Sequence, residues 1–235
     1  MIPKPLQRVA RALVNRSQHV DLTPHPLDPI LEALPVLGSV RDVHKYCCRK
    51  ANDNHATLPW AEFGVSKGTT ASWFLEELGA SNRMYFFDSW EGLPERWELV
   101  PAGKYAANVP DFKDGRALLI KGWFEDTVPG WAATQTEPLG LVHLDADLYS
   151  STNTVLSHLN QLIVPGTVIL FDEYYNYEGW DKHEHKAFLE FTQRFGREFA
   201  YLGKNDKYRA FPERIGSAEG RVESKYVRVA VEITQ

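Results

Sequence analysis

Cysteine is nearly absent from this chain: only Cys47 and Cys48 occur in 235 residues. Adjacent in sequence, they cannot staple distant segments, so a disulfide-built scaffold is excluded and a reduced, cytoplasmic setting is the expectation. No apolar run approaches the roughly 20 residues of a membrane span, so no membrane partner is expected. The opening Met1-Ile-Pro-Lys-Pro5 lacks the apolar core and cleavage site of a secretory signal. A basic excess is missing too. The net charge of −5 argues against a sequence-independent nucleic-acid binder, whose phosphate contacts need clustered lysine and arginine. Repeats and low-complexity tracts are lacking. Two nucleotide fingerprints are also absent: Glu62-x-Gly64-x-x-x-Gly68 does not have the Gly-x-Gly-x-x-Gly spacing, and Lys67 precedes Gly68 instead of following it as in a phosphate loop.

What is present is an ordinary globular composition, 43% hydrophobic and 24% charged, enough for one large α/β domain. Two apolar runs dominate it. Leu141-Val-His-Leu-Asp-Ala-Asp-Leu-Tyr149 and Thr167-Val-Ile-Leu-Phe-Asp-Glu-Tyr174 each end abruptly in carboxylates. Runs so short and apolar read as strands buried on both faces, as in a parallel sheet. Between them Val155, Leu156, Leu159, Leu162 and Ile163 recur at helical spacing over Ser151–Pro165. A strand–helix–strand unit puts both carboxyl ends on one sheet edge. If the strands are neighbours, about 4.8 Å apart, Asp145 or Asp147 faces Asp172 and Glu173. Crowded carboxylates repel and need a compensating cation, for which a hard divalent ion such as Mg²⁺ is suited.

The rest of the chain fits one sheet. Leu58–Val65, Arg83–Asp88 and Ala117–Gly122 read as further parallel strands, with helices over Thr69–Gly79 and Lys182–Arg197. Glu198–Gly203 and Tyr226–Ile233 have no crossover helix between them and read as an antiparallel pair at the sheet edge. The expected fold is a doubly wound, mostly parallel seven-stranded α/β sheet with a terminal antiparallel hairpin. Residues 1–57 form a helical segment, a lid or dimer contact, before a continuous core over 58–235. In that segment Leu6, Val9, Ala10, Leu13 and Val14 share one helix face, and Val36, Val40, Val43 and Cys47 roughly share another. The prolines of Thr23-Pro-His-Pro-Leu-Asp-Pro29 separate the two. The long segment Trp90–Gly115, rich in aromatics, reads as a functional lid.

Ala61-Glu-Phe-Gly-Val-Ser-Lys-Gly-Thr69 follows the first strand and opens a helix, where glycines let the backbone approach a ligand and free N–H groups await it. Without a pyrophosphate fingerprint, a cofactor lacking pyrophosphate suits it better. Asp88 ends the next strand about 20 residues on, where an acid commonly receives a ribose diol.

Five stretches, Glu62-Phe-Gly-Val-Ser-Lys-Gly68, Phe87-Asp-Ser-Trp-Glu-Gly-Leu-Pro94, Lys121-Gly-Trp-Phe-Glu-Asp-Thr-Val-Pro129, Leu144-Asp-Ala-Asp-Leu-Tyr149 and Phe171-Asp-Glu-Tyr174, occur in this order. Together they resemble the macrocin O-methyltransferase (TylF-like) family of class I S-adenosylmethionine methyltransferases, whose fold is Rossmann-like. The resemblance implies methyl transfer from S-adenosylmethionine to a hydroxyl of a small molecule, a sugar of a natural product, with Mg²⁺. It implies that Glu62, Gly64, Ser66, Gly68 and Thr69 cradle the methionine part, Asp88 and Ser89 receive the ribose, and Gly122, Trp123 and Phe124 border the adenine, with Asp145 nearby. It further implies Asp145, Asp172 and Glu173 as metal ligands and Asp147, a proposed general base, with Asp145 as the catalytic residues. The family often has Asp-Asp where this chain has Asp172-Glu173.

Other readings stay open. Asp147 could instead cap the helix beginning near Ser151, and a phenolic diol would suit the metal as well as a sugar does. A nicotinamide-dependent oxidoreductase would explain the sheet and glycines but leave the carboxylates idle. His183 and His185, about 200° apart on a helix, do not chelate one ion and read as a solvent-exposed helix start with Glu184. His143 reads as a satisfied core residue. Tyr174, Tyr175, Tyr177 and Trp180 either contact substrate, the reading favoured here, or pack beneath the following helix. Homodimerisation through the N-terminal helices is a further expectation.

Overall fold

The computed structural model describes residues 27–206 and 226–235, with the backbone alone for Tyr208–Ala210 and Arg221–Glu223. The expected helix face of Leu6–Val14 lies outside the described residues. In chain order the elements are α1 (Asp28–Glu32), α2 (Val40–Asn54), β1 (Trp60–Phe63), α3 (Thr69–Glu77), β2 (Met84–Asp88), β3 (Ala117–Lys121) and α4 (Phe124–Thr134). There follow β4 (Leu141–Leu144), α5 (Tyr149–Leu159), β5 (Val168–Tyr175), a 3₁₀ turn (Trp180–Lys182), α6 (Glu184–Phe195), β6 (Phe199–Lys204), β7 (Tyr208–Ala210), β8 (Arg221–Glu223) and β9 (Val227–Ile233).

Seven strands form one sheet in the order β3-β2-β1-β4-β5-β9-β6. The first five are parallel, and β9 runs antiparallel between β5 and β6. This is the expected doubly wound sheet with its terminal antiparallel pair. A second small hairpin, β7–β8, interrupts that pair and was not anticipated.

Side chains alternate across the sheet with the period of two that strands impose. Ala61, Phe63, Phe87, Val142, Leu144, Ile169 and Phe171 face one core, closed by Val128 of α4, Val155 and Leu159 of α5, and Phe188 of α6. Trp60, Met84, Phe86, Leu141, Val168 and Leu170 face the other, closed by Val43 and Cys47 of α2 and Phe74 of α3. β1 and β4 are buried throughout, which is why they read as continuous apolar runs.

Two local expectations need correction. Val36 does not share the α2 face: it lies before the helix, pairs in an isolated bridge with Lys204 and is exposed. The helix starts only at the Ser39 cap, whose hydroxyl accepts from the Asp42 backbone N–H while Asp42 bonds back to Ser39 N. The helix α4 was not foreseen, because Pro129 and Gly130 fall inside it and both residue types weaken a helical reading. Among the described residues, no helix is long and apolar enough to cross a membrane.

Candidate active site

In an open α/β sheet, the carboxyl ends of the strands diverge where the strand order reverses, and ligands bind in that crevice. Here the reversal lies between β1 and β4, and a cavity of about 330 Å³ opens there. Gly64, Asp88 and Gly122–Phe124 form the wall at the carboxyl ends of β1, β2 and β3; Asp145, Asp147, Asp172 and Glu173 form it at the carboxyl-end side of β4 and β5. The loop after β2 adds Leu93, Pro94, Trp97 and Tyr105, and Tyr226 closes the side before β9. No residue of 27–57 borders the cavity.

Gly64 explains the tight junction of the two halves. Its φ is +93°, and a Cβ there would lie 1.8 Å from the carbonyl oxygen of Asp145. Only glycine permits that approach. Asp88 organises the next turn: one carboxylate oxygen accepts from Val65 N at 2.8 Å and Ser66 N at 2.7 Å, and the other from Trp90 N at 2.6 Å. Ser66 and Trp90 both hold left-handed φ values, so this carboxylate pins two strained turns at the cavity wall. Ser66 and Ser89 border the cavity, the latter accepting from Glu91 N.

Three residues expected at the cofactor do not border the cavity. Glu62 is fully buried, where it accepts from the Thr70 hydroxyl at 2.5 Å and meets Nδ1 of His143 at 3.0 Å. It ties β1 to α3 and to its ladder partner on β4. Gly68 caps α3 in a left-handed conformation against Phe112 of the long loop, and Thr69 begins that helix.

The carboxylates divide into two sets. Asp145, Asp147 and Glu173 bring one oxygen each within 4.8 Å of one another. Asp147 reaches the group from a left-handed backbone, φ +57°, and makes no cap to α5. Asp172, expected among the metal ligands, has both oxygens on the guanidinium of Arg228. Nε2 of His143 lies 3.7 Å from it, an ion-pair contact too long for a hydrogen bond.

The electrostatics follow from this division. Burial alone would lower His143, but Asp172 and Glu62 on its two sides push it up to about 10. Burial alone would raise Asp172, but Arg228 and His143 hold it below the usual carboxylate range. Glu62, His143, Asp172 and Arg228 thus form a charge-compensated row. Less compensation reaches the triad: His143 and Arg228 lower Asp145, but by less than its burial and the charges of Asp172 and Asp147 raise it. Burial, then the charge of Asp172, raises Asp147 to about 7. Burial and neighbouring carboxylates raise Asp145 and Glu173 as well. Glu173 also keeps one buried oxygen without a hydrogen-bond partner.

The start of α6 is not exposed. Glu184 and His185 are both buried, and Glu184 accepts from the backbone of Ala146 and Glu173. The signal was in the sequence: Glu184 stands four and seven residues before Phe188 and Phe191, on the same helix face. The aromatics after β5 also differ from the favoured expectation. Tyr174 is buried with its hydroxyl on Tyr201, Tyr175 bonds Glu32, and neither they nor Tyr177 or Trp180 border the cavity. Trp97 stacks on Tyr226 at 5.5 Å between ring centres, so the lip aromatics come from the long loop and the approach to β9. Arg228, the partner of Asp172, was also not singled out. His143 lies in the core as expected but is not fully satisfied there, since its Nε2 has no hydrogen-bond partner. Cys47 and Cys48 are buried free thiols, pushed up by burial.

Residues 61–174 match a family described as a methyltransferase domain. The 8-demethyl-8-(2,3-dimethoxy-alpha-L-rhamnosyl)-tetracenomycin-C 4'-O-methyltransferase of Streptomyces olivaceus is 27% identical over 154 residues, covering 55% of this chain and 58% of that one. The mycinamicin III 3''-O-methyltransferase of Micromonospora griseorubida is 33% identical over 61 residues, covering 26% of this chain and 23% of that one. The chain thus matches little more than half of the first relative's length and about a quarter of the second's. The calicheamicin methyltransferase CalS11 superposes with a TM-score of 0.57 at 19% identity, over 97% of this chain and 90% of that one, a likeness of fold. Sheet order, switch-point cavity and sequence match agree: the chain has the class I methyltransferase, Rossmann-like fold, and its residues 61–174 match the methyltransferase-domain family.

Proposed function

We propose that this protein is an S-adenosylmethionine-dependent O-methyltransferase of the TylF-like branch, acting on a hydroxyl of a small-molecule acceptor, a sugar unit of a natural product, with Mg²⁺ at its acid cluster. The observation that carries this reading is the convergence of Asp145, Asp147 and Glu173 within 4.8 Å in the wall of the switch-point cavity. The sugar is supported by the rhamnosyl group in the first relative's name.

The residues fit a divalent cation. Three crowded carboxylates repel one another, one oxygen of Glu173 has no partner, and a hard cation with oxygen ligands relieves both. When bound, S-adenosylmethionine supplies an activated methyl group, and Mg²⁺ supplies the charge that orients hydroxyl oxygens and makes them more acidic.

The chain's own residues do the rest. Trp123 and Phe124 offer flat surfaces for the adenine and Asp88 lies ready for the ribose, while also pinning its own loop. Asp145 and Glu173 hold the cation, with Asp147 as the nearest third carboxylate. Asp147, only partly buried at the cavity wall, takes up the acceptor proton as the oxygen attacks. Trp97, Tyr105 and Tyr226 exclude water and stack against the acceptor ring. Holding the acceptor oxygen in line with the methyl group contributes several kcal/mol, up to about 7–11 in the best cases.

Calorimetric titration of S-adenosylmethionine into the metal-free protein, repeated with Mg²⁺ and a panel of sugars and diols, tests the reading. Cofactor binding with Mg²⁺-dependent acceptor binding is expected. Absence of cofactor binding under every condition would remove the methyltransferase activity from consideration. Acceptor binding that ignores Mg²⁺ would leave the activity and remove the cation.

A further inference from the structure

The β4–β5 ladder ends with Leu144 opposite Phe171. Asp145, Asp147 and Glu173 therefore lie beyond the last register pair, where strand pairing no longer fixes their separation. Glu184 spans that gap. One of its oxygens accepts from Ala146 N at 3.4 Å and the other from Glu173 N at 3.0 Å. Ala146 sits between Asp145 and Asp147, so a single carboxylate grips the backbone of both strand ends that carry the triad.

This is a costly way to satisfy two amides. Glu184 is fully buried, and among the described residues no basic side chain forms an ion pair with it. Taking a carboxylate out of water without a cationic partner is strongly unfavourable. The neutral amide of a glutamine could accept one of the same bonds. A fourth carboxylate behind three others becomes favourable when a cation sits in front of them.

Resting on the reading of the triad as a cation site, we infer that Glu184 is a positioning residue: it sets the spacing between Asp145/Asp147 and Glu173 and adds negative charge behind them. It touches neither cofactor nor acceptor.

The test is calorimetric titration of Mn²⁺ into full-length wild-type protein, Glu184→Gln and Glu184→Asp, with S-adenosylmethionine titrated in parallel. Glu184→Gln keeps the length and loses the charge; Glu184→Asp keeps the charge and draws the carboxylate back by one methylene. Loss of an outer-shell partner lowers metal affinity about 10–100-fold, and both variants are expected to lose Mn²⁺ affinity in that range while cofactor affinity changes less than about twofold. Retained cofactor binding reports an intact fold; should one variant fail to fold, the other carries the test. Wild-type Mn²⁺ affinity in a folded variant of either kind overturns the positioning role while the cation site stands. A wild-type protein that binds no Mn²⁺ overturns the cation site and this inference together.

Discussion

Arg228 of β9 donates from Nε to one carboxylate oxygen of Asp172 and from Nη2 to the other, across the antiparallel boundary between β9 and β5. Asp172 and Glu173 are neighbours in sequence, yet one is bonded into a neutral row under α2 and the other into the acid triad. Strand geometry explains the split, because successive side chains leave opposite faces of the sheet. Breaking a buried ion pair by removing one partner typically costs about 3–5 kcal/mol, so Arg228→Gln is expected to lose stability in that range. Urea unfolding monitored by tryptophan fluorescence measures it, and a loss near zero would show Asp172 to be compensated elsewhere.

Under the proposed cation site, the same split makes Asp147 rather than Asp172 the third ligand. Asp147→Asn is expected to weaken Mn²⁺ binding about 10-fold or more with little change in urea midpoint, whereas Asp172→Asn is expected to lower the midpoint and leave Mn²⁺ binding within a few-fold. Calorimetry on both variants decides. The reverse pattern would return Asp172 to the ligand set and Asp147 to the role of base alone.

Gly64→Ala places a methyl group against the Asp145 carbonyl and demands a left-handed alanine. Both strains fall on the junction between the cofactor wall and the acid wall. The variant is expected to lose S-adenosylmethionine binding and to melt several degrees lower, read by calorimetry and thermal denaturation. Normal binding would mean that the two strand ends can part without consequence.

The cap of α2 gives a pH signature. The Ser39 hydroxyl, then the Ser39 backbone N–H, holds the Asp42 carboxyl below its ordinary value of 3.8. A folded value below the unfolded one means that this contribution is complete above about pH 4 and fades as pH falls through the folded value. Ser39→Ala is therefore expected to cost about 1 kcal/mol at pH 7 and less at pH 3. Urea midpoints at the two pH values measure the difference, and an equal cost at both would exclude the Asp42 contribution.

Lys104 is exposed on the long loop whose Leu93, Trp97 and Tyr105 border the cavity. If that loop closes over ligands, trypsin cleavage at Lys104 slows when S-adenosylmethionine and acceptor are both present. Mass spectrometry of timed digests follows it, and an unchanged rate would make the loop a fixed wall.

Hydrophobic patterning is enough to place the strands of the sheet and the neighbourhood of the site. Buried parallel strands must be apolar on both faces, so Leu141–Leu144 and Val168–Phe171 could be little else, and the acids that end them had to meet at one edge. Gly64 was legible because the turn after β1 is short and a glycine frees its backbone. The carboxylate partners were not legible. Whether Asp172 or Asp147 joins Glu173 depends on Arg228, which lies 56 residues beyond Asp172 in sequence, and on the insertion of β9 beside β5. The burial of Glu184 depended on which face of α6 turns inward, a face its phenylalanines marked but its charge disguised. Periodicity reports local burial, whereas pairing between charges depends on distances that only the folded chain sets. The folded chain therefore settles which acid is ion-paired, Asp172 with Arg228, while Asp145, Asp147 and Glu173 meet one another.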